Sequence, residues 1–236
     1  MDERVLSPIS TAEPERRWAA LRKIMSERAV GALIVQNNND WLGGYVKWLT
    51  DHPTVNGYPT TVIFHLDDWM TVIDMGPLGS RRRLGGDDKV YRGVVDVLST
   101  PAFTTVSYTD SYQAALALDD LKRRNYRAVG VAGAGALPHK FIKRIESELA
   151  PTLLIDLTDA FDWIKAIKSP EEILAIRKPA AMGAVEYLYR RCVSPKRPVA
   201  HKGVDGGAIV HDQMRLLHLE IPEEMADAIV LVPKAA

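Results

Sequence analysis

Cysteine is almost missing from this sequence, which has 236 residues and a single cysteine, Cys192. One cysteine excludes an internal disulfide bond and a zinc site built from cysteine ligands, and it fits a reducing compartment. An excess of charge of either sign is missing too, because 30 basic residues balance 30 acidic ones. A formal net charge of zero gives no global electrostatic attraction to nucleic acid or to an anionic membrane.

Long apolar runs are also missing, so no segment approaches the length of a membrane span. Residues 1–4 (MDER) are polar and are not followed by the apolar core that a signal peptide needs. Together these absences predict a soluble cytoplasmic protein that binds neither membranes nor nucleic acid.

Apolar patterning predicts alternating strands and helices over residues 14–167. The predicted strands are 32–35, 60–65, 69–74, 94–98, 128–132 and 153–157, and the predicted helices are 14–28, 110–124, 138–149 and 159–167. The second and third strands read as a hairpin with its turn at 66–68. Gln36–Asp40 reads as a polar turn with Asp40 capping a short helix, 76–90 as a surface segment, and Thr158 as a helix cap. The pattern predicts an α/β fold with a mixed sheet flanked by helices.

The segment Ser169-Pro170-Glu171-Glu172 has the pattern of a capped helix start. The hydroxyl of Ser169 can accept from free amides of the first turn, and Glu172 can reach back to the amide of Ser169. Proline is favoured at the first helical position. We therefore predict a domain boundary here, with domains 1–167 and 168–236. Beyond it the pattern weakens: Pro179 should break or kink the helix, and a short helical carboxy-terminal remnant is expected.

Gly133-Ala134-Gly135 lies between a predicted strand and a helix, where a phosphate-binding turn would lie. The third glycine of the fingerprint is missing, so a tight turn is the favoured interpretation. The charged run Arg81-Arg82-Arg83 could bind a phosphate or a carboxylate, but a solvated surface run is more common. Asp67-Asp68 is typical of a turn.

The histidines do not form a recognisable metal motif. His211 and His218 are seven residues apart, whereas a metal pair on one helix is usually three or four apart. His52, His65 and His139 stand alone, and a lone histidine is more often a surface or hydrogen-bonded residue than a ligand. The residues alone therefore predict neither metal ligands nor a nucleophile.

Three stretches of the sequence resemble the amino-terminal domain of the creatinase, prolidase and aminopeptidase P family. They are 17–25 (RWAALRKIM) leading to 30–35 (VGALIV), 39–45 (NDWLGGY), and the junction 164–173 (IKAIKSPEEI), which is the most specific match. The resemblance covers about residues 14–192. It implies a ribonuclease H-like mixed sheet followed by a pita-bread catalytic domain. That second domain holds two metal ions through two aspartates, one histidine and two glutamates, and hydrolyses Xaa-Pro or related bonds.

Residues 169–236 are too few for the catalytic sheet of that family, and no run of ligands like the family's is present. We therefore assign none of the family's metal ligands to residues of this sequence. We expect no catalytic residue and no cofactor here, and a dinuclear metal site only in full-length relatives. The main hypothesis is a non-catalytic amino-terminal domain with a truncated remnant of the hydrolase domain. It would form homo-oligomers through this domain and the carboxy-terminal helices.

In the family, loops of this domain can line the rim of a neighbouring active site. The matching candidates here for a substrate rim or an interface are Asp51, His52, Asn56 and Tyr58. Two alternatives remain open. One is half of a split metallopeptidase that another chain completes, and the other is a small α/β ligand-binding module that uses the turn at Gly133.

Overall fold

The computed structural model describes residues 9–37, 44–52, 58–101, 108–177 and 180. The helices are α1 (Ala12–Glu27), α2 (Tyr45–Thr50), α3 (Tyr108–Arg124), α4 (His139–Leu149) and α5 (Thr158–Ala166), and the strands are β1 (Ala32–Asn37), β2 (Thr60–His65), β3 (Met70–Met75), β4 (Arg81–Arg83), β5 (Val94–Thr100), β6 (Ala128–Val131) and β7 (Leu153–Asp156). A short 3₁₀ helix covers Ala134–Ala136. The chain divides into two compact units, Met1–Ile167 and Lys168–Ala236.

The seven strands form one sheet in the order β4-β5-β3-β2-β1-β6-β7. The pairs β1–β2, β2–β3 and β4–β5 are antiparallel, whereas β3–β5, β1–β6 and β6–β7 are parallel. The sheet is therefore mixed, and β2 and β3 form the hairpin that the sequence predicts. The prediction of an α/β fold with a mixed sheet flanked by helices is confirmed.

Both faces of the sheet are covered, which explains why β1 reads as a continuous apolar run rather than as an alternating one. Leu33 and Val35 of β1 pack into the core formed with α1, α2 and α5. Ala32 and Ile34 pack into the second core, formed with α3 and α4. Successive side chains of a strand point to opposite faces, so a strand between two helical layers needs apolar residues at every position.

The end of β1 corrects one prediction. Gln36 and Asn37 were expected in a polar turn, but both are buried and belong to the strand. The side-chain amide of Gln36 donates to the hydroxyl of Thr61 at 2.8 Å. The side-chain oxygen of Asn37 accepts from the backbone amide of Val46 at 3.0 Å. Buried polar groups are tolerated when they are hydrogen-bonded, and these two residues are.

One further prediction was incomplete and one is wrong. The segment 76–90 was expected to be a surface segment, and Arg81–Arg83 is exposed but also forms the edge strand β4. Thr158 was expected to cap α5, but it is the first residue of that helix, and the cap position belongs to Leu157. The hydroxyl of Thr158 instead donates to Asp156 and accepts from the amide of Gly133 at 3.0 Å. The hydroxyl therefore joins the end of β7 to the turn after β6.

The second unit is described over residues 168–177 and at residue 180, and residues 170–177 are helical. The amide of Ser169 donates to Glu172 Oε2 at 2.9 Å, and the amide of Glu172 donates to Ser169 Oγ at 3.1 Å. These two reciprocal bonds are the predicted capping box. The predictions for Asp40 as a helix cap and for a kink at Pro179, together with the weak helical stripes beyond it, lie outside the described residues. Within the described part of the chain, no helix is long and apolar enough to cross a membrane.

Candidate functional site

The predicted rim residues lie where α2 ends. Asp51 follows the last residue of α2 and has a left-handed backbone, with φ of 55°. Its carboxylate accepts from Arg92 Nη2 at 2.7 Å, and Arg92 Nη1 donates to the carbonyl of Ile9 at 2.9 Å. One guanidinium therefore joins the end of α2, the segment before α1 and the segment before β5. We call Asp51, His52, Tyr91 and Arg92 the Asp51 cluster.

The other half of the Asp51 cluster is aromatic. The rings of His52 and Tyr91 meet edge to face, with their centroids 5.1 Å apart. The guanidinium of Arg82, in strand β4, lies 4.7 Å from the centre of the Tyr91 ring. The backbone of His52 is fixed as well, because its amide donates to the hydroxyl of Thr50 at 3.1 Å. These contacts hold a half-buried surface that carries an acid, a base and two aromatic rings.

Burial raises the pKa of Asp51 above its ordinary value, although the charge of Arg92 opposes this shift. The carboxylate is therefore held in the fold largely by its arginine partner. We predict that Arg92→Ala destabilises the first unit by about 1–3 kcal/mol, because it leaves a half-buried carboxylate without its cation. Asp51→Asn should cost less, since the amide oxygen can still accept from Arg92. Urea unfolding at pH 7 compares the two variants, and an equal or larger loss in Asp51→Asn would contradict this assignment.

A second polar group lies inside the first unit, between β2, β3 and α3. His65 and Asp120 are almost completely buried, and His65 Nε2 lies 3.3 Å from Asp120 Oδ2. His65 Nε2 also lies 3.2 Å from the Thr71 hydroxyl, and His65 Nδ1 lies 3.1 Å from the Tyr126 hydroxyl. Arg124 Nε lies 3.6 Å from Asp120 Oδ2. We call this group, together with Arg123, the Asp120 network.

The family resemblance implies metal ions in the second domain, and the Asp120 network of the first unit is not arranged to hold one. Arg123 donates to Asp120, so two arginines take the places that a metal cation would need at this carboxylate. Among the described residues, no group of three or more histidine, cysteine, aspartate or glutamate side chains could hold a metal ion. His65 agrees with the interpretation of a lone histidine as a hydrogen-bonded residue.

The turn at Gly133-Ala134-Gly135 forms the short 3₁₀ helix, with the amide of Ala136 donating to the carbonyl of Gly133 at 2.9 Å. Gly133 has φ of 71°, and a side chain there would meet the ring of Tyr45 at 2.7 Å. The amide of Gly133 already donates to Thr158. Glycine is needed here for the turn and the close approach, which is the interpretation that the sequence favoured.

The structure brings together part of the predicted site. Asp51 and His52 lie in the Asp51 cluster, Tyr58 is half-buried two residues before β2, and Asn56 lies outside the described residues. Arg92 and Tyr91, which come from the segment before β5, were not among the predicted residues. Their spacing from Asp51 in the sequence gives no sign of the contact, because it arises only when β5 joins the sheet.

Solved structures share this fold. An Xaa-Pro dipeptidase from Bacillus anthracis matches 86% of this chain and 49% of its own, with a TM-score of 0.53 and 11% identity. An X-Pro aminopeptidase from Thermotoga maritima matches 84% of this chain and 49% of its own, with a TM-score of 0.52 and 11% identity. The chain has a fold found in Xaa-Pro peptidases. The fold expected from the resemblance to the aminopeptidase P and prolidase family is therefore confirmed.

The fold is not restricted to peptidases. The N-terminal domain of the FACT complex subunit SPT16 from Cicer arietinum matches 97% of this chain and 53% of its own, with a TM-score of 0.53 and 13% identity. The chain thus spans about half the length of each of these three solved chains. No protein-family model and no curated protein matches the sequence.

Proposed function

We propose that the unit Met1–Ile167 is a non-catalytic accessory domain of a protein related to Xaa-Pro peptidases. The observation that carries the proposal is the Asp120 network, whose ionisable groups are buried and bonded to one another on a fold that Xaa-Pro peptidases share. Catalytic carboxylates and histidines must meet a substrate or a metal, whereas these side chains meet each other. In this domain they act as structural groups.

The test of this proposal is an assay of the purified chain with Xaa-Pro dipeptides in the presence of manganese or cobalt. We expect no hydrolysis above the rate without protein, because the buried ionisable groups of the Asp120 network are bonded to one another. Metal-dependent hydrolysis that a chelator abolishes would overturn the proposal. A full-length Xaa-Pro peptidase assayed under the same conditions is the positive control.

The role proposed for the domain is assembly, with the Asp51 cluster as the contact surface. A half-buried surface with an acid, a histidine and aromatic rings has the composition of an interface, because aromatic residues are enriched where proteins meet. We expect two copies of the chain to associate, as measured by light scattering after size-exclusion chromatography. His52→Asp should weaken the dimer by placing a second carboxylate beside Asp51.

The matched control is His139→Asp, which makes the same change at an exposed histidine on α4. We expect this variant to associate like the unchanged chain. A monomer at every concentration, or an equal effect of both substitutions, would contradict a role of the Asp51 cluster in assembly.

A second candidate function is half of a split peptidase. It is favoured by the extent of the structural match, which covers about half of two Xaa-Pro peptidases. It predicts a stable complex with a chain that carries a metal-binding hydrolase domain, and hydrolysis only in the mixture. The assay above, repeated after copurification of such a chain, separates this candidate from the first.

A further inference from the structure

The edge strand β4 has a composition that its place in the sheet does not require. It is the last strand of the sheet, and its three residues, Arg81, Arg82 and Arg83, are all exposed. We call these three residues the arginine edge. Arginine is a poor choice for burial but a strong donor to carboxylates, because its planar guanidinium can donate two parallel hydrogen bonds.

Only every second residue of β4 directs its backbone amide and carbonyl toward the neighbouring strand β5. Ser80 and Leu84 form the hydrogen bonds to β5, since the Ser80 carbonyl accepts from Ser99 and the Leu84 amide donates to Val95, each at 2.8 Å. Backbone groups of an antiparallel strand alternate between facing the partner strand and facing outward, so the amide and carbonyl of Arg82 also face β5. The amides and carbonyls of Arg81 and Arg83 therefore point away from the sheet, where a further strand could pair with them.

The charges of the arginine edge are not equally neutralised. Arg81 holds both oxygens of Asp96, at 3.1 and 2.6 Å. Asp96 lies directly opposite Arg83 in the strand register, but its carboxylate is already bound by Arg81. Arg83 remains exposed, and Arg82 lies over the ring of Tyr91 on the other face. The exposed Asp87 follows at the turn after β4. Among the described residues, Arg81 is the arginine of this edge that pairs with a carboxylate, so the charges of Arg82 and Arg83 leave the edge positive.

We propose that the arginine edge binds an acidic peptide in an extended conformation, which adds to the sheet as a strand beside β4. Charge complementarity favours this occupant over a second copy of the chain, because two arginine edges repel each other. A peptide also supplies both the donors and the acceptors that the outward backbone groups of Arg81 and Arg83 can pair with. Strand addition of this kind takes affinity from the main chain and specificity from the side chains.

The first test measures the binding of labelled eight-residue peptides by fluorescence anisotropy at fixed salt. The acidic peptide alternates glutamate and threonine, and its control replaces each glutamate by glutamine. We expect the acidic peptide to bind at least about tenfold more tightly than the glutamine peptide, and we expect Arg83→Glu to remove that difference. Lys143→Glu makes the same charge change at an exposed residue of α4 and should leave binding unchanged. Equal binding of the two peptides, or equal losses in the two variants, overturns the proposal.

The second test separates strand addition from simple charge attraction and uses the unchanged protein. Hydrogen exchange should show slowly exchanging amides at Arg82 and Leu84 and fast ones at Arg81 and Arg83. Addition of the acidic peptide should protect Arg81 and Arg83. An acidic peptide with N-methyl groups on alternate amides should bind more weakly when the methylated amides are those that face β4. Unchanged exchange at Arg81 and Arg83, or equal binding of both N-methylated registers and the parent peptide, overturns strand addition.

Discussion

Replacing Asp120 by alanine is expected to destabilise the protein by about 3–5 kcal/mol, the usual cost of removing one partner from a buried charge pair. The side chain of Asp120 is 1% exposed and meets His65, Arg123 and Arg124. Alanine would remove the acceptor that His65, Arg123 and Arg124 share, although Arg124 would keep its hydrogen bond to Asp68. The total stability of a domain is about 5–15 kcal/mol, so this loss is a large share of it. Urea unfolding at pH 7 measures the effect.

The same carboxylate makes the stability depend on pH. Burial by itself would raise the pKa of Asp120, but the hydrogen bond and charge of His65, with help from Arg124 and Arg123, lower the pKa to about 2. An unfolded aspartate has a pKa of about 4, so the unfolded state binds more protons between pH 4 and pH 2. The stabilisation by Asp120 is therefore present above pH 4 and lost as the pH falls toward 2.

The control for this pH dependence is Asp120→Asn, which keeps the shape and removes the titrating group. The stability difference between the unchanged protein and this variant should shrink by about 2 kcal/mol between pH 5 and pH 2, which corresponds to the shift in the pKa of Asp120. Circular dichroism during urea unfolding at each pH gives both curves. Parallel curves over that range would show that Asp120 does not carry this part of the acid sensitivity.

Gly93→Ala is expected to destabilise the protein by about 2–5 kcal/mol. Gly93 has φ of 69°, which costs about 1–2 kcal/mol for a residue with a side chain. A methyl group there would also lie 2.5 Å from the ring of Trp18. The ring cannot move away easily, because its Nε1 donates to the carbonyl of Leu49 at 2.8 Å. Overpacking of this kind costs about 1–3 kcal/mol more.

Gly79→Ala separates the two causes. Gly79 has φ of 78°, but a methyl group there would meet nothing within 4 Å. Only the backbone cost applies, so we expect a loss of about 1–2 kcal/mol. The difference between the two variants in chemical unfolding measures the clash with Trp18. A similar loss in both would mean that the packing around Trp18 gives way and that the clash is not the main cause.

The sequence predicts the strands and helices of the first unit well because their apolar periodicity reports the cores directly. β1 reads as a continuous apolar run because Leu33 and Ile34 enter different cores. The capping box of Ser169 and Glu172 is equally local, since its two hydrogen bonds join residues three apart. Patterns of this kind need no knowledge of the tertiary structure, so they can be recognised in the sequence.

The wrong predictions are those in which a distant partner changes the meaning of a polar residue. Gln36 reads as a turn residue, but Thr61 on the neighbouring strand supplies the acceptor that allows it to be buried. Arg81 reads as part of a solvated run on a loop, and it is exposed, but the pairing of Arg81–Arg83 with β5 places it in a strand, where it binds Asp96. The Asp120 network could not be predicted for the same reason, because His65 and Asp120 are brought together only by the packing of α3 on the sheet.

The position of β1 within the sheet has a consequence for synthesis on the ribosome. β1 pairs with β2 on one side and with β6 on the other, and Ala32 lies opposite Val129 in the second pairing. The chain emerges amino terminus first, so β1 to β5 are available before β6 has been made. During that interval one side of β1 has no strand to pair with, and an unpaired apolar edge favours association between nascent chains. The translation of residues 101–128 therefore sets how long the growing polypeptide carries this exposed edge.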